Sequence, residues 1–403
     1  MNVRTRGFAG GVLLLLVLGL FAWGLRQVFT SRFPGGNDLY PRWSAGCAWL
    51  LQGIDPYSQA ATTSIQEGIY GRAALPGEDQ AAFAYPIFTV FVTSPLCLAT
   101  DFATAHAVAM TALIAALILT AALARRAAGW QVGGALWIWT LFWIVALYPS
   151  ARAVILGQLA VIVALLQVGA LVALRGKRDA LAGAALALSL IKPQMAVLIV
   201  PWLLLWGAAN RRWKILWGFA AALAVLVIVP MMRLPAWPVG WVHQLQAYRS
   251  YTEFGSLTWI ITTDWLGTPP AVEAVVTLLW MVWLLTEWWR ARRDSFEPML
   301  WTASLTIVLT HFVSPRTATT HFAPMLVPLF MLFRVLSGPA GDRRKATIAA
   351  ITAGTALASW ALFALTVQGR QESAWNYLPI PILMLGVLLA IRRPWKRLTG
   401  EPA

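Results

Sequence analysis

Long apolar runs separated by short polar turns recur from one end of this chain to the other. They fall near 8–28, 103–124, 131–148, 152–174, 179–191, 193–208, 213–231, 272–289, 297–312, 320–336, 345–366 and 378–391. A helix crossing a bilayer needs roughly 17–25 such residues, and several runs are shorter. The pattern predicts an all-α polytopic membrane protein with about twelve transmembrane helices. The pair 179–191 and 193–208 is broken at Ile191-Lys192-Pro193 and is expected to cross incompletely. Segment 84–98 is also apolar, but a thirteenth crossing would invert every later turn. A short or re-entrant helix is expected there.

Two stretches between runs are long, about 29–102 and 232–271. In the first, Leu39 to Gln52 reads as a short helix carrying Trp43, Cys47 and Leu50 at i, i+4 and i+7. Such a face lies along a membrane surface. Gly53 stops the helix, and Asp55-Pro56-Tyr57 makes a turn. In the second stretch, Trp237, Trp241 and Tyr248 mark a surface helix with aromatic anchors.

Composition agrees with the pattern: 59% of residues are hydrophobic and 12% charged, with a mean hydropathy of +0.67. Soluble domains carry roughly 25% charged residues, so a soluble protein is excluded. Because the runs recur throughout, one membrane domain is expected over 1–403, with no appended soluble domain. The first run has a basic start (Arg4, Arg6) like a signal peptide. It lacks a small-x-small cleavage site, which favours an uncleaved anchor.

The net charge of +15 does not indicate a nucleic-acid partner, because the cations cluster in alternate turns. Arg125/Arg126, Arg175 with Lys177/Arg178, Arg211/Arg212/Lys214, Arg290/Arg292/Arg293, Arg334 with Arg343/Arg344/Lys345, and Arg392/Arg393/Lys396/Arg397 form a positive-inside signature. It predicts a multi-pass protein of the plasma (inner) membrane with both termini cytoplasmic and both long stretches outside. Ten of the 31 Lys and Arg fall on the outer side: Arg26, Arg32, Arg42, Arg72, Arg152, Lys192, Arg233, Arg249, Arg316 and Arg370. Arg152, Lys192 and Arg316 stand beside or within apolar runs, where a charge costs at least about 2.5 kcal/mol near mid-membrane. Such residues have a partner or a ligand, and a lipid phosphate suits. The two cysteines, Cys47 and Cys97, fit no metal or redox spacing and read as small apolar filler.

Asp38 follows the first run within GGNDLYPRW, where the chain leaves the membrane. It is either a proton acceptor or the N-cap of the helix that follows. A set of short motifs then occurs in order: Asp38-x-Tyr40, Ala45-Gly46, Gly53-Ile54-Asp55-Pro56-Tyr57, Tyr85-Pro86, Ser94-Pro95-Leu96, Gly157-Gln158, Lys192-Pro193, and Ser314-Pro315 with His321. Across roughly residues 30–335 this set resembles the polyprenol-phosphate-mannose-dependent mannosyltransferases of glycosyltransferase family 87, which have the GT-C fold. Two motifs depart from the family pattern. Its Tyr-Pro-Pro reads Tyr85-Pro86-Ile87 here. Its Ser-Pro-x-Ser-Trp-x-His-His reads Ser314-Pro315-Arg316-Thr317-Ala318-Thr319-Thr320-His321, losing the Trp and the first His and gaining an arginine.

The resemblance implies inverting transfer of a sugar, mannose in the family, from a polyprenyl-phosphate donor to a glycolipid or glycan acceptor of the cell envelope, on the outer face. Membrane lipids are the remaining partners. A hydroxyl nucleophile needs a base, and a placed carboxylate contributes roughly 10²- to 10⁴-fold; Asp38 is expected in that role. The leaving phosphate needs cations or donors aimed at it, for which Lys192, Arg152 and Arg316 are candidates. His321 would orient the base, bind acceptor or donate to phosphate, or else be structural. Gln158 would hydrogen-bond a sugar or another helix, and Asp55 the turn or substrate. Tyr57 and Tyr85 are carried over as substrate contacts. His311 matches no motif, and Glu253 and Asp264 are the runners-up for the base. With no Asp-x-Asp or His-rich spacing and no Gly-rich nucleotide loop, neither metal, cofactor nor nucleotide sugar is expected. The competing readings are a transporter or flippase of lipid-linked sugars, a transferase using polyprenyl-phosphate arabinose or glucose, and a non-catalytic scaffold.

Overall fold

A computed structural model describes residues 3–33, 35–75, 78–248, 255–337, 342–369 and 372–400. Among them the chain forms nineteen α-helices, joined by short 3-10 and π turns. In order these are α1 (Val3–Leu25), α2 (Tyr40–Gln52), α3 (Gln59–Tyr70), α4 (Val90–Thr93), α5 (Phe102–Ala128), α6 (Gly134–Ala146), α7 (Tyr148–Ile155), α8 (Ala160–Arg175), α9 (Asp179–Leu188) and α10 (Pro193–Ala196). There follow α11 (Ile199–Ala209), α12 (Trp213–Met231), α13 (Trp237–Tyr248), α14 (Leu257–Trp259), α15 (Pro270–Ala291), α16 (Phe296–Val313), α17 (Leu326–Ser337), α18 (Asp342–Thr366) and α19 (Pro379–Thr399). A lone parallel bridge between Gly255 and Arg316 is the β-structure seen among the described residues.

Against the expectation of about twelve spanning helices, six among the described residues are long and apolar enough to cross a bilayer, or seven if α6 and α7, bent by 55° at their junction, act as one. Most of the other expected crossings are apolar helices of 10–17 residues, among them 160–175, 179–191 and 199–209, and 297–312 falls on the 18-residue α16. Continuous apolar sequence does not guarantee a continuous helix. Pro193 cannot donate to the preceding turn, and Lys192 before it leaves the helical region, at φ −133° and ψ 81°.

Two compact units emerge: Met1–Ala115 with Val154–Gln158 and Val229–Thr252, and Ala116–Ala153 with Leu159–Ile228 and Glu253–Ala403. In the first unit, α1 exposes Leu13, Leu14, Leu15 and Leu16, as suits a helix apolar on every side and bathed in lipid. Beyond its end Arg26 pairs with Asp101 at 3.3 Å and donates to Thr104 Oγ1 at 2.8 Å. Helix α2 ends at Gly53, as expected. The expected membrane-surface face of Trp43, Cys47 and Leu50 is half-buried, while within the protein the helix buries Arg42, Ala45, Gly46 and Trp49. The small Ala45 and Gly46 let this face approach the 87–98 segment, which is a string of short helical turns. Cys47 is not filler either. It forms a disulfide with Cys97, tying α2 to those turns with Cα atoms 5.4 Å apart. The spacing of 50 residues gave no hint of it. Helix α13 buries Trp237, edge-on to Phe88 at 5.8 Å. That side chain is a packing residue in this unit.

In the second unit, α16 is buried from Pro298 to Phe312. Its polar side chains are satisfied locally: Thr306 and Thr310 donate to the carbonyls one turn back, and Trp288 Nε1 donates to Thr306 Oγ1 at 2.9 Å. Back-bonding of this kind is how hydroxyls are accommodated in an apolar interior. Helices α9 and α12 meet through glycines. A Cβ on Gly183 would lie 2.0 Å from the Ile215 carbonyl oxygen, and one on Gly218 would lie 2.3 Å from that of Ala180. Several cations of the basic turns have carboxylate partners: Arg175 and Arg334 with Glu297, Arg212 with Asp179, and Arg290 and Arg392 with Glu287.

Candidate functional site

Asp38 lies in a turn of the first unit, with its half-buried carboxylate accepting a hydrogen bond from Gln158 Nε2 at 2.6 Å. It does not cap α2: the N-cap position is Leu39, which makes no side-chain cap bond. The Asp38 turn is held from both ends. Gly36 N donates to the Ile155 carbonyl at 3.1 Å, and the His106 ring shares that carbonyl through Nε2 at 2.8 Å. Gly157 explains why Gln158 follows a glycine. Its φ is +69°, and a Cβ there would stand 2.5 Å from the Leu39 Cβ. Only glycine admits both the left-handed backbone and that approach, which brings Gln158 onto Asp38. Sequence reasoning named Asp38 and Gln158 separately but missed His106 and the Ile155 carbonyl. A histidine in the first turns of a spanning helix was the available signal.

Elsewhere in the same unit, Asp55 closes its turn, accepting from Tyr57 N at 2.9 Å through Oδ1 and from Ser58 through its carbonyl. Tyr57 donates its hydroxyl to the Tyr85 carbonyl at 2.7 Å and packs on Phe83. Burial, reinforced by the nearby Asp55 charge, pushes the Tyr57 phenol up, so it remains a neutral donor. The Tyr85 hydroxyl accepts from Arg42 Nη2.

In the second unit, Lys192, Arg316, His311 and His321 come together. Lys192, His311 and Arg316 all act electrostatically on the His321 ring, and Lys192, His311 and His321 are buried. The two imidazole centres are 6.5 Å apart. His311 Nδ1 and Thr317 Oγ1 share a hydrogen bond of 2.8 Å, and Thr317 N donates to the Gly255 carbonyl at 3.0 Å. His311, Arg316 and His321, with Gln167, Gln194, Thr310 and Ser314, line a small cavity. His311 matched no sequence motif, yet it faces this cavity beside the residues that did.

Arg152 belongs to a different cluster in that unit. Its Nε is 3.3 Å from Glu372 Oε2, and its Nη1 donates to the Tyr148 hydroxyl at 3.2 Å. Glu372, whose side chain is 1% exposed, also accepts from Tyr148 OH and Thr319 Oγ1 at 2.8 Å each. Arg152 thus has a buried counter-ion, and through Thr319 the same carboxylate anchors the short turn ending at His321. Glu372 was not anticipated, because a single acidic residue between two apolar runs carries no motif. Of the reserve bases, Asp264 is exposed on the 260–265 turn, and Glu253 lies outside the described residues, as do Arg249 and Arg370.

Among the described residues no three His, Cys, Asp or Glu side chains gather as a metal-binding group. An apolar cavity of about 80 Å³ in the second unit is walled by Leu117, Trp143, Leu326, Leu329 and Phe333, with Ser150, Thr319 and Thr320 among its lining. No curated protein and no solved structure matches this chain to a significant degree. The model of glycosyltransferase family 87 matches residues 83–315, a segment that holds Gln158, Lys192 and the Ser314-Pro315 motif, with Asp38 before it and His321 just beyond. Spanning more than half of the 403 residues, that match shows that the chain belongs to glycosyltransferase family 87, which implies a GT-C membrane glycosyltransferase.

Proposed function

We propose that this glycosyltransferase moves a sugar, mannose by family resemblance, from a polyprenyl-phosphate donor to the hydroxyl of a glycolipid or glycan acceptor on the outer face of the membrane, inverting the anomeric carbon. The observation that carries the reading is the Asp38–Gln158 pair, a carboxylate held at 2.6 Å by an amide whose approach a glycine permits. In the reaction the acceptor oxygen bonds to the anomeric carbon, its proton passes to Asp38, and the carbon–oxygen bond to phosphate breaks with its electron pair on the phosphate. Gln158 keeps the carboxylate oriented for that proton. Lys192 and Arg316, with His321, supply positive charge and donors for the leaving phosphate, which need not be protonated if cations meet it as it departs. Arg152 acts through its pair with Glu372, steadying the turn that carries His321. The cavity beside Thr319 and Thr320 supports a hydrocarbon-tailed substrate, since its walls are mostly apolar. The disulfide supports an outer position for the first long segment, because such bonds persist in oxidising compartments.

Asp38→Asn tests the reading. In purified protein supplied with polyprenyl-phosphate mannose, glucose or arabinose, the variant should lose transfer by about 10²-fold or more while folding and binding donor as before. Full transfer by the variant would sink the assignment of the base. Movement of the lipid-linked sugar across vesicles, without any transfer product from the wild type, would favour the flippase.

A further inference from the structure

Arg42 is 2% exposed, in the first turn of α2 and four residues after Asp38. Its Nη2 donates to the Tyr85 hydroxyl, and its guanidinium carbon stands 4.0 Å from the centre of the Tyr85 ring. Its Nε and Nη1 are buried and reach no acceptor. Among the described residues no carboxylate pairs with it, whereas the part-buried Arg152 and Arg212 each have one. A guanidinium does not give up its proton inside a protein. Burying it without an anion is unfavourable, and neither a tyrosine ring nor a phenol oxygen cancels a full charge.

Two further donors stand at this spot. The Tyr85 hydroxyl, used as an acceptor by Arg42, has its own O–H. The N-cap residue of α2, Leu39, offers no side-chain oxygen to the helix end, which leaves N–H groups of the first turn without a side-chain cap. Helical side chains lean toward the N-terminus, which brings the Arg42 fork to that end. The result is a group of donors waiting for oxygen atoms, and a planar fork matches a phosphate with two parallel hydrogen bonds.

We propose that Arg42 and Tyr85, at the N-terminal turn of α2, form a receptor for the phosphate of a lipid substrate. The inference rests on the glycosyl-transfer reading for its choice of lipid, and it adds Arg42, four residues after Asp38 and named by no family motif, as a phosphate contact. The phosphate belongs either to the prenyl donor or to an anionic acceptor lipid.

Equilibrium binding of undecaprenyl phosphate, undecaprenol and phosphatidylglycerol to the full chain in neutral detergent decides between them. The wild type should bind at least one phosphate-bearing lipid about ten-fold or more tightly than undecaprenol, as hydrogen bonds to a charged group imply. Arg42→Gln should remove most of that preference, Arg42→Lys should restore part of it, and Asp38→Asn should leave it intact. Loss confined to undecaprenyl phosphate assigns the site to the donor, and loss confined to phosphatidylglycerol assigns it to the acceptor. Formation of the Cys47–Cys97 bond, which closes on the same helix, reports that each variant has folded. If Arg42→Gln does not fold, Arg42→Lys carries the test, and undiminished phosphate binding by folded Arg42→Lys overturns the proposal. A wild-type preference for undecaprenyl phosphate that Arg42→Gln retains leaves the donor reading standing and the Arg42 receptor refuted. No wild-type preference for undecaprenyl phosphate, with phosphatidylglycerol binding lost in Arg42→Gln, does the reverse.

Discussion

Gly157 shows how much of the candidate site can depend on a missing side chain. A methyl group there must adopt a left-handed backbone, at roughly 1–2 kcal/mol, and also displace Leu39 from 2.5 Å. Gly157→Ala should therefore lower stability by about 2 kcal/mol or more and depress turnover further than substrate binding, since Gln158 swings away from Asp38. A thermal midpoint together with a KM-against-kcat split checks this, and an unchanged kcat would refute the positioning argument. A second residue-scale effect concerns Glu78, in the first long segment. Arg72 grips it with two bonds of 2.8 Å and Leu75 N adds a third, holding its carboxyl down at about 2. A depressed carboxylate stabilises the fold above its unfolded value near 4.5 and loses that contribution as pH falls through its folded value. The protection factor of the Leu75 amide, its exchange measured against the intrinsic rate at each pH, should thus stay constant above about pH 5 and fall between about 4.5 and 2; a fall beginning at neutral pH would contradict it.

Among helices, the sequence pattern located most of the long elements and was silent on how some of them pack. In α2 the apolar i, i+4, i+7 stripe was read as a membrane-surface face, and the packing face within the protein is another, where Ala45 and Gly46 permit a close approach. Periodicity ranks faces by hydrophobicity; it does not see the shape of the neighbour. The α9–α12 contact makes the same point with backbone. Gly183→Val would place a side chain against the Ile215 carbonyl, where the present gap to an added Cβ is 2.0 Å. Overpacking of this sort costs typically 1–3 kcal/mol and at times more. The thermal midpoint in detergent should fall clearly, while Gly354→Ala, inside α18 with nothing within 4 Å of its added Cβ, should leave stability unchanged or raise it by up to about 1 kcal/mol. Equal effects would mean that the two helices do not meet in this way.

Across the whole chain, the disulfide is the independent witness to sidedness. The positive-inside pattern and the Cys47–Cys97 bond come from different physics, one from the energetics of charge translocation and the other from the redox state of a compartment. Both favour an outer position for the first long segment. A cross-link closing a loop of 50 residues stabilises by about 4 kcal/mol in the chain-entropy account. Cys47→Ser should therefore cost a large part of that, and thiol labelling of intact cells followed by mass spectrometry should find neither cysteine free. Two freely alkylated thiols in protein taken from cells would count against an outer location.

Sequence by itself determined the membrane class, the positions of the long apolar helices, the family, and the identities of Asp38, Gln158, Lys192 and His321 as candidates. Those follow from composition, from runs of one polarity and from short ordered motifs, all of which are properties of the linear chain. Tertiary structure decided that Gln158 holds Asp38, that Cys47 meets Cys97, that Glu372 neutralises Arg152 and anchors the His321 turn, and that Arg42 is buried with no carboxylate partner among the described residues. Each of these joins residues from about 40 to more than 200 positions apart, or concerns a polar atom whose partners only packing can supply. Hydrogen-bond satisfaction and charge pairing depend on distances in space, and the spacing of letters does not encode them.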